Sequence, residues 1–239
     1  MLALMKDQSL LQRLVFLLLK VRYAVRARDL TEMNALNERV RKVAQGAALM
    51  TETKVEMKII SAVSNILPNT PLEHALHGIM EELGPPHFDD TDKKFAQQIQ
   101  STLTDKDIET VYYSIGMDPT DRPLADFIVP LDAKRNPQIG STDVGDVSWV
   151  VPTVQVHAPT VAIGTPFHTW QVVAQGKSPH AHKAMVQAAK AMAGLGVRAL
   201  TEPELIAAAQ ADLKKRTTRT PYISPLPDSV APPLDMSRV

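Results

Sequence analysis

The spacing of apolar residues changes period twice before the first proline cluster. Val21, Tyr23 and Val25 alternate with Arg22, Ala24 and Arg26, the period of two expected of a half-buried strand. A helix follows, capped by Asp29 or Thr31, because Met33, Leu36, Val40, Val43 and Ala47 recur at intervals of three and four and so share a helical face. Gly46 weakens that helix slightly. From Thr53 to Val63 the alternation returns, with Val55, Met57 and Ile59 on one face and Glu56, Lys58 and Ile60 on the other. Strand, helix and strand in succession predict a β-α-β unit, whose strands need a sheet to belong to.

Pro68-Asn-Thr-Pro71 interrupts the pattern and sets a predicted domain boundary, giving pieces 1–69 and 70–239. Beyond it a helix is predicted from Pro71 to Leu83, started by Thr70, with Leu72, Leu76, Ile79 and Leu83 on one face. His74 and His77 have a spacing compatible with a metal, but no acidic pattern accompanies them, and they read as a solvated helix face. Gly84-Pro-Pro ends this helix. Asp89-Asp-Thr-Asp92 caps the next, which carries Phe95, Ile99 and Leu103. Residues 104–139 lack sustained periodicity and read as a surface excursion with short elements. The valine- and threonine-rich stretch from Pro152 to Ile163, broken at Ala158-Pro159, predicts two short core strands, with His157 at an edge. From Ala181 to Leu200 the small residues Ala184, Ala188, Ala189, Ala191 and Ala193 predict a helix lying close on a sheet. A second helix, Glu202 to Arg216, and a proline-rich tail follow. The predicted fold class is α/β.

Composition narrows the function classes. With 239 residues the chain has room for one large or two small domains. Its 26 basic and 26 acidic residues cancel, so there is no electrostatic case for a nucleic acid or an anionic membrane as partner. The absence of cysteine excludes disulfides and thiolate metal sites, leaves histidine and carboxylate as the available metal ligands, and agrees with a cytoplasmic location. Leu10 to Leu19 is strongly apolar, but Gln12, Arg13 and Lys20 keep it well short of the ~20 residues of a membrane span. It lacks the small-residue cleavage site of a signal peptide and reads as a buried segment.

Candidate chemistry is densest between Gly140 and Met185, which holds His168, His180, His182, Asp143 and Asp146. Short polar loops between buried strands often look the same, and the composition of the segment leaves both readings open. Its wording is more specific. Gly140-Ser-Thr-Asp-Val-Gly-Asp-Val-Ser-Trp149, Gly164-Thr-Pro-Phe-His-Thr-Trp170 and Ala181-His-Lys-Ala-Met185 occur in that order, before an alanine-rich helix. The segment resembles the C-terminal active-site region of the aminoacylase/carboxypeptidase-like zinc metallopeptidases, and within them the aminobenzoyl-glutamate hydrolases. Ala44-Gln-Gly-Ala-Ala-Leu-Met-Thr51 and Ser64-Asn-Ile-Leu-Pro-Asn69 resemble the second half of that family's small lid domain. The resemblance runs from about Val21 to the C-terminus, and residues 1–20 do not match.

The resemblance implies a partial ferredoxin-like lid and dimerisation domain in 1–69, followed by the C-terminal part of a catalytic α/β domain. It implies hydrolysis of an amide bond beside a carboxylate, in an aminobenzoyl-glutamate or related N-acyl amino acid, with a divalent metal, zinc or manganese. By the same resemblance His182 is the family's last metal ligand, and His168, Ser141 and Asp143 lie near the substrate; His180 is a near miss. Thr142 stands where related branches have Glu. The family's His-x-Asp motif, bridging Asp, paired Glu and further carboxylate belong to an N-terminal half, and none of those words is expected in this sequence. The expectation is therefore a fragment with no complete catalytic set, inactive alone and without a stably held metal. It would associate with itself or with a homologous subunit. The alternative is a non-catalytic dimerisation or binding module derived from the same family.

Overall fold

The computed structural model describes residues 30–57, 59, 61–134, 142–226 and 228–231. The predicted strand at 21–25, the apolar segment 10–19 and Ser141 lie outside them. The chain divides into two compact units. One comprises Met1–Leu67, Ser141–Val150 and Arg216–Val239; the other comprises Pro68–Gly140 and Val151–Lys215.

The described residues form helices and irregular segments, with no strand among them, which corrects the expectation of an α/β fold with a β-α-β lid. Helix α1, Leu30–Met50, is where the sequence placed it. The described residues of 53–63 form no strand, and their alternating Val55, Met57 and Ile59 are exposed at 45%, 47% and 41%. Residues 152–163 are also irregular. Alternation specifies an extended chain with one apolar face, but a strand is made by hydrogen bonds to a neighbouring strand, and no described segment supplies them.

In the second unit, α2 (Thr70–Leu83) begins one residue before the predicted start. Asn69, not Thr70, is its cap: the Asn69 amide oxygen accepts from Leu72 N at 3.3 Å and the amide nitrogen donates to the Ala209 carbonyl at 2.9 Å. Helix α3 (Asp90–Gln100) starts with the reciprocal box of Asp89 and Asp92, as its acids suggest. Helix α4 (Asp105–Ser114) has an equivalent box from Thr104 and Asp107, inside the stretch read as a surface excursion. In the first unit the short helix α5 (Val144–Ser148) carries the acidic word, and α1 buries Leu36 but exposes Val43, Leu49 and Met50. The second unit continues with α6 (Trp170–Gln175), α7 (Pro179–Thr201) and α8 (Pro203–Thr217), the last as far as Lys215. Ser178 caps α7 by accepting from Ala181 N, and Pro179 supplies the preset φ of the first turn.

Two apolar clusters hold the second unit together. Leu76 and Ile79 of α2 pack with Ala191 of α7, joined by Met80, Val154, Val156 and Leu195. The helices approach closely enough that a Cβ on Gly194 would stand 3.0 Å from Ile79 Cγ2. The other cluster gathers Phe88, Ala96, Ile99, Leu124, Ala162 and Ala184. Elsewhere on α7, Met185, Val186, Met192, Val197 and Leu200 are exposed. No helix among the described residues is long and apolar enough to cross a membrane.

Candidate functional site

Three words mark the candidate site, and each is largely occupied in holding the chain. In the first, residues of Asp143-Val-Gly-Asp-Val-Ser-Trp149 grip segment 64–67. Asp146 accepts from Ser64 N at 3.2 Å, Ser64 Oγ at 2.7 Å and the Tyr222 hydroxyl at 2.9 Å. Ser148 Oγ accepts from Leu67 N at 2.8 Å, and Trp149 Nε1 donates to the Asn65 carbonyl at 3.0 Å. Gly145 makes the approach possible, since a Cβ there would lie 1.9 Å from the Ser64 carbonyl oxygen. The Trp149 and Tyr222 rings lie 6.3 Å apart. Burial, followed by the hydrogen bond to the Asp146 carboxylate, pushes the Tyr222 hydroxyl above the usual tyrosine value. Asp143, the substrate candidate, is exposed at the start of α5 and makes no capping bond with its side chain.

The second word, Gly164-Thr-Pro-Phe-His-Thr-Trp170, is a turn anchored from below. Buried Gln175 accepts from Ala162 N at 2.6 Å and donates to Thr165 Oγ1 at 3.1 Å and the Gln171 carbonyl at 3.0 Å. Gly164 has φ +95°, and a Cβ there would meet Ile108 Cγ1 at 2.7 Å. These anchors leave the tip outward. Phe167 is 77% exposed, Trp170 59%, and His168 between them is exposed with φ +63°. A non-glycine residue in the left-handed region is uncommon, and strain of this kind concentrates at functional sites. His168 is thus presented to solvent between two large aromatic residues. Sequence reasoning misses Phe167 and Trp170, although their place on either side of the histidine is an available signal.

In the third word the two histidines part company. Successive helical residues turn by about 100°, so positions two apart point to nearly opposite sides. His180 is fully buried between Phe88 and Phe95, with ring centroids at 6.5 and 5.8 Å, and its Nε2 lies 3.1 Å from Ser178 Oγ. Burial holds its pKa below the usual imidazole value, opposed by the Asp92 charge and assisted by that of Lys183. His182 is exposed on the far side of the same turns. The near miss is therefore a core histidine, and the pair does not present both imidazoles to one ion. Lys183 donates to Asp89 at 2.7 Å and to buried Asp92, tying α7 to the capping box of α3.

The sequence does contain a His-x-Asp at His87-Phe88-Asp89 and a Glu pair at Glu81-Glu82. The structure gives three of those residues other work, and His87 and Glu82 are exposed. Phe88 is core, Asp89 caps α3, and Glu81 lies 3.5 Å from His77 Nδ1, while His77 Nε2 donates to the Val129 carbonyl at 3.1 Å. Among the described residues no group of three or more His, Cys, Asp or Glu comes together to hold a metal. Among the described residues the fit to a zinc or manganese site is thus incomplete: a catalytic zinc needs about three protein ligands, and one exposed imidazole, His182, is what the third word offers. Asp143 belongs to the first unit and His168 and His182 to the second.

Among curated proteins, the chain is similar to a subunit of the p-aminobenzoyl-glutamate hydrolase of Escherichia coli (strain K12), with 38% identity over 224 residues. The match takes in 89% of this chain and 47% of the relative, so the chain spans about half the length of the protein it matches. No family model matches, and no solved structure does. The family resemblance carried by the three words therefore extends along most of the sequence.

Proposed function

We propose that this chain is one part of a cytoplasmic, metal-dependent amidohydrolase acting on aminobenzoyl-glutamate or a closely related N-acyl amino acid, and that a second polypeptide completes it. The observation that carries this reading is the 38% identity running through 224 residues to the p-aminobenzoyl-glutamate hydrolase subunit. Within it His182 is the metal-ligand position, held at the exposed side of the first turns of α7 by the Ser178 cap and Pro179. His168, framed by Phe167 and Trp170, is the substrate-facing position, and its neighbouring rings suit an aromatic acyl group. Asp143 and Ser141 remain the substrate-side residues of the first word. Because the described ligand set is incomplete, the remaining ligands and the general base come from the partner, and the chain alone does not turn substrate over.

The test is aminobenzoyl-glutamate hydrolysis in added zinc or manganese, with metal content after dialysis. It compares this chain alone with this chain co-expressed with the part of the Escherichia coli relative that lies outside the match. Turnover is expected only from the co-expressed pair, and His182→Ala abolishes it without loss of the complex. Stoichiometric metal and turnover by the chain alone would overturn the proposal, as would a pair indifferent to His182→Ala.

A further inference from the structure

The second word of the candidate site presents more than its histidine. Phe167, Trp170 and Val173 follow one another at intervals of three and are 77%, 59% and 81% exposed, with Trp170 and Val173 on one side of α6. Apolar side chains ordinarily stabilise a chain by leaving water. Here the turn is held from beneath by Gly164, Thr165 and Gln175 instead, and the strip faces outward.

Size and chemistry narrow what such a strip can meet. It is little longer than α6, whose six residues span about 9 Å, whereas a stable protein interface takes about 800 Å² from each partner. By itself it is too small for a polypeptide surface, and it suits one flat ring. Its polar member is His168, whose imidazole can donate to or accept from an amide or a carboxylate, as a π face does not. The apolar strip therefore matches the acyl half of an N-acyl amino acid, and His168 the other half.

The two aromatic residues are not equivalent. Phe167 stands at the tip of the turn, next to the left-handed backbone of His168. Trp170 opens α6, and the residue after it ties that helix to the body of the unit. Gln171 Nε2 donates to Thr102 Oγ1 at 3.4 Å, and the Gln171 carbonyl accepts from buried Gln175 Nε2 at 3.0 Å. Trp170 is also the more covered of the two rings, so its indole is reachable and already placed. A surface fixed before binding has less freedom to lose when a ring stacks on it.

We propose that Trp170 determines specificity for the acyl group, stacking an aroyl ring such as aminobenzoyl and discriminating against small aliphatic acyl groups. The proposal deepens the reading of the chain as part of an amidohydrolase and rests on it. Discrimination is a difference between two acyl groups on the same amino acid, and an acetyl group has no ring to lay on the indole.

The experiment has two arms. In the free, full-length chain, the indole N–H signals of the two tryptophans are followed by nuclear magnetic resonance during titration with aminobenzoyl-glutamate or acetyl-glutamate. Trp149, whose indole donates to the Asn65 carbonyl, is the internal reference. The Trp170 signal, identified by its loss in Trp170→Leu, is expected to move with aminobenzoyl-glutamate and to stay with acetyl-glutamate. The second arm uses the chain co-expressed with the part of the Escherichia coli relative outside the match. There Trp170→Leu is expected to raise KM for aminobenzoyl-glutamate about tenfold, to leave competitive inhibition by acetyl-glutamate within about twofold, and to be largely rescued by Trp170→Phe. Thermal midpoints establish that both variants fold. A pair whose KM ignores Trp170→Leu, or which loses both ligands equally, overturns the specificity role and leaves the amidohydrolase reading standing. A Trp170→Leu chain that no longer captures its partner overturns it in favour of a protein contact. If no pair turns over, the amidohydrolase reading falls and the first arm decides alone: a Trp170 signal that ignores aminobenzoyl-glutamate, or moves equally with both ligands, overturns the aroyl site as well.

Discussion

Asp146 and Ser64 are 82 residues apart in the chain, and the carboxylate of one accepts from both the amide and the hydroxyl of the other. The same carboxylate takes the Tyr222 hydroxyl, so three separated segments of the first unit meet on one side chain. Removing the acceptor leaves partly buried donors without partners. Asp146→Ala is expected to destabilise this unit by about 2–3 kcal/mol, and Asp146→Asn by less, because one amide oxygen still accepts. A double-mutant cycle with Ser64→Ala is expected to show coupling of about 1 kcal/mol in urea denaturation. Additive effects would mean that the carboxylate has other work.

Two glycines in helices should respond to alanine with opposite signs. Gly46 lies in α1 with nothing within 4 Å of its absent Cβ, so Gly46→Ala is expected to stabilise by about 0.5–1 kcal/mol through helix propensity alone. Gly145 lies in α5 against backbone: its Cβ would stand 1.9 Å from the Ser64 carbonyl oxygen. Gly145→Ala forces segment 64–67 away and breaks the Ser148 and Trp149 bonds with it, at a cost of about 3 kcal/mol. Thermal melts of the two variants against the parent decide the signs.

That contrast shows where sequence reasoning reaches and where it stops. Helices signalled by local chemistry are legible: Asp89 with Asp92 at the start of α3, and the three-four spacing of Leu72, Leu76 and Ile79; the Ser178 cap with Pro179 carries the same kind of signal, yet the sequence reading begins α7 two residues late, at Ala181. The Thr104 and Asp107 box carries the same signal, but the prolines that follow it mask a helix of ten residues. Strand assignments at 53–63 and 152–163 fail for a different reason, since a strand depends on a partner that periodicity does not contain. The density of histidines and acids between Gly140 and Met185 is visible too. Its division into supports and presented groups is not, because whether Asp146 faces a ligand or Ser64 is settled by a contact 82 residues away.

Tyr222 provides a pH test of the same junction. Its ionised form is disfavoured by burial and by the neighbouring Asp146 carboxylate, so its folded pKa lies above the ordinary tyrosine value of about 10. The unfolded chain then loses this proton first as pH rises, and the folded state holds more protons in that interval. Stability linked to Tyr222 is therefore full below about pH 10 and falls as pH climbs through that value toward the folded pKa. Ultraviolet titration of the four tyrosines should show a late component that is absent from Tyr222→Phe, and Asp146→Asn should move it downward. A Tyr222→Phe curve superimposable on the parent would remove the junction from the account.

His168 sets stability against presentation. With φ +63° it occupies backbone space that glycine enters freely, and a strained non-glycine residue costs about 1–3 kcal/mol. Its side chain is exposed and is not needed by the turn, whose anchors are Gly164, Thr165 and Gln175. His168→Gly is therefore expected to stabilise the second unit by about 1 kcal/mol, and His168→Asn, which tolerates the same backbone, to leave it nearly unchanged. If the imidazole faces substrate, as the proposed function has it, both variants lose aminobenzoyl-glutamate affinity in the assembled pair while keeping the complex. The decisive measurement pairs the thermal midpoint with substrate affinity by calorimetry. Higher stability with affinity intact would assign the strained backbone to something other than holding His168 toward a ligand; lower stability would show that the histidine itself supports the turn.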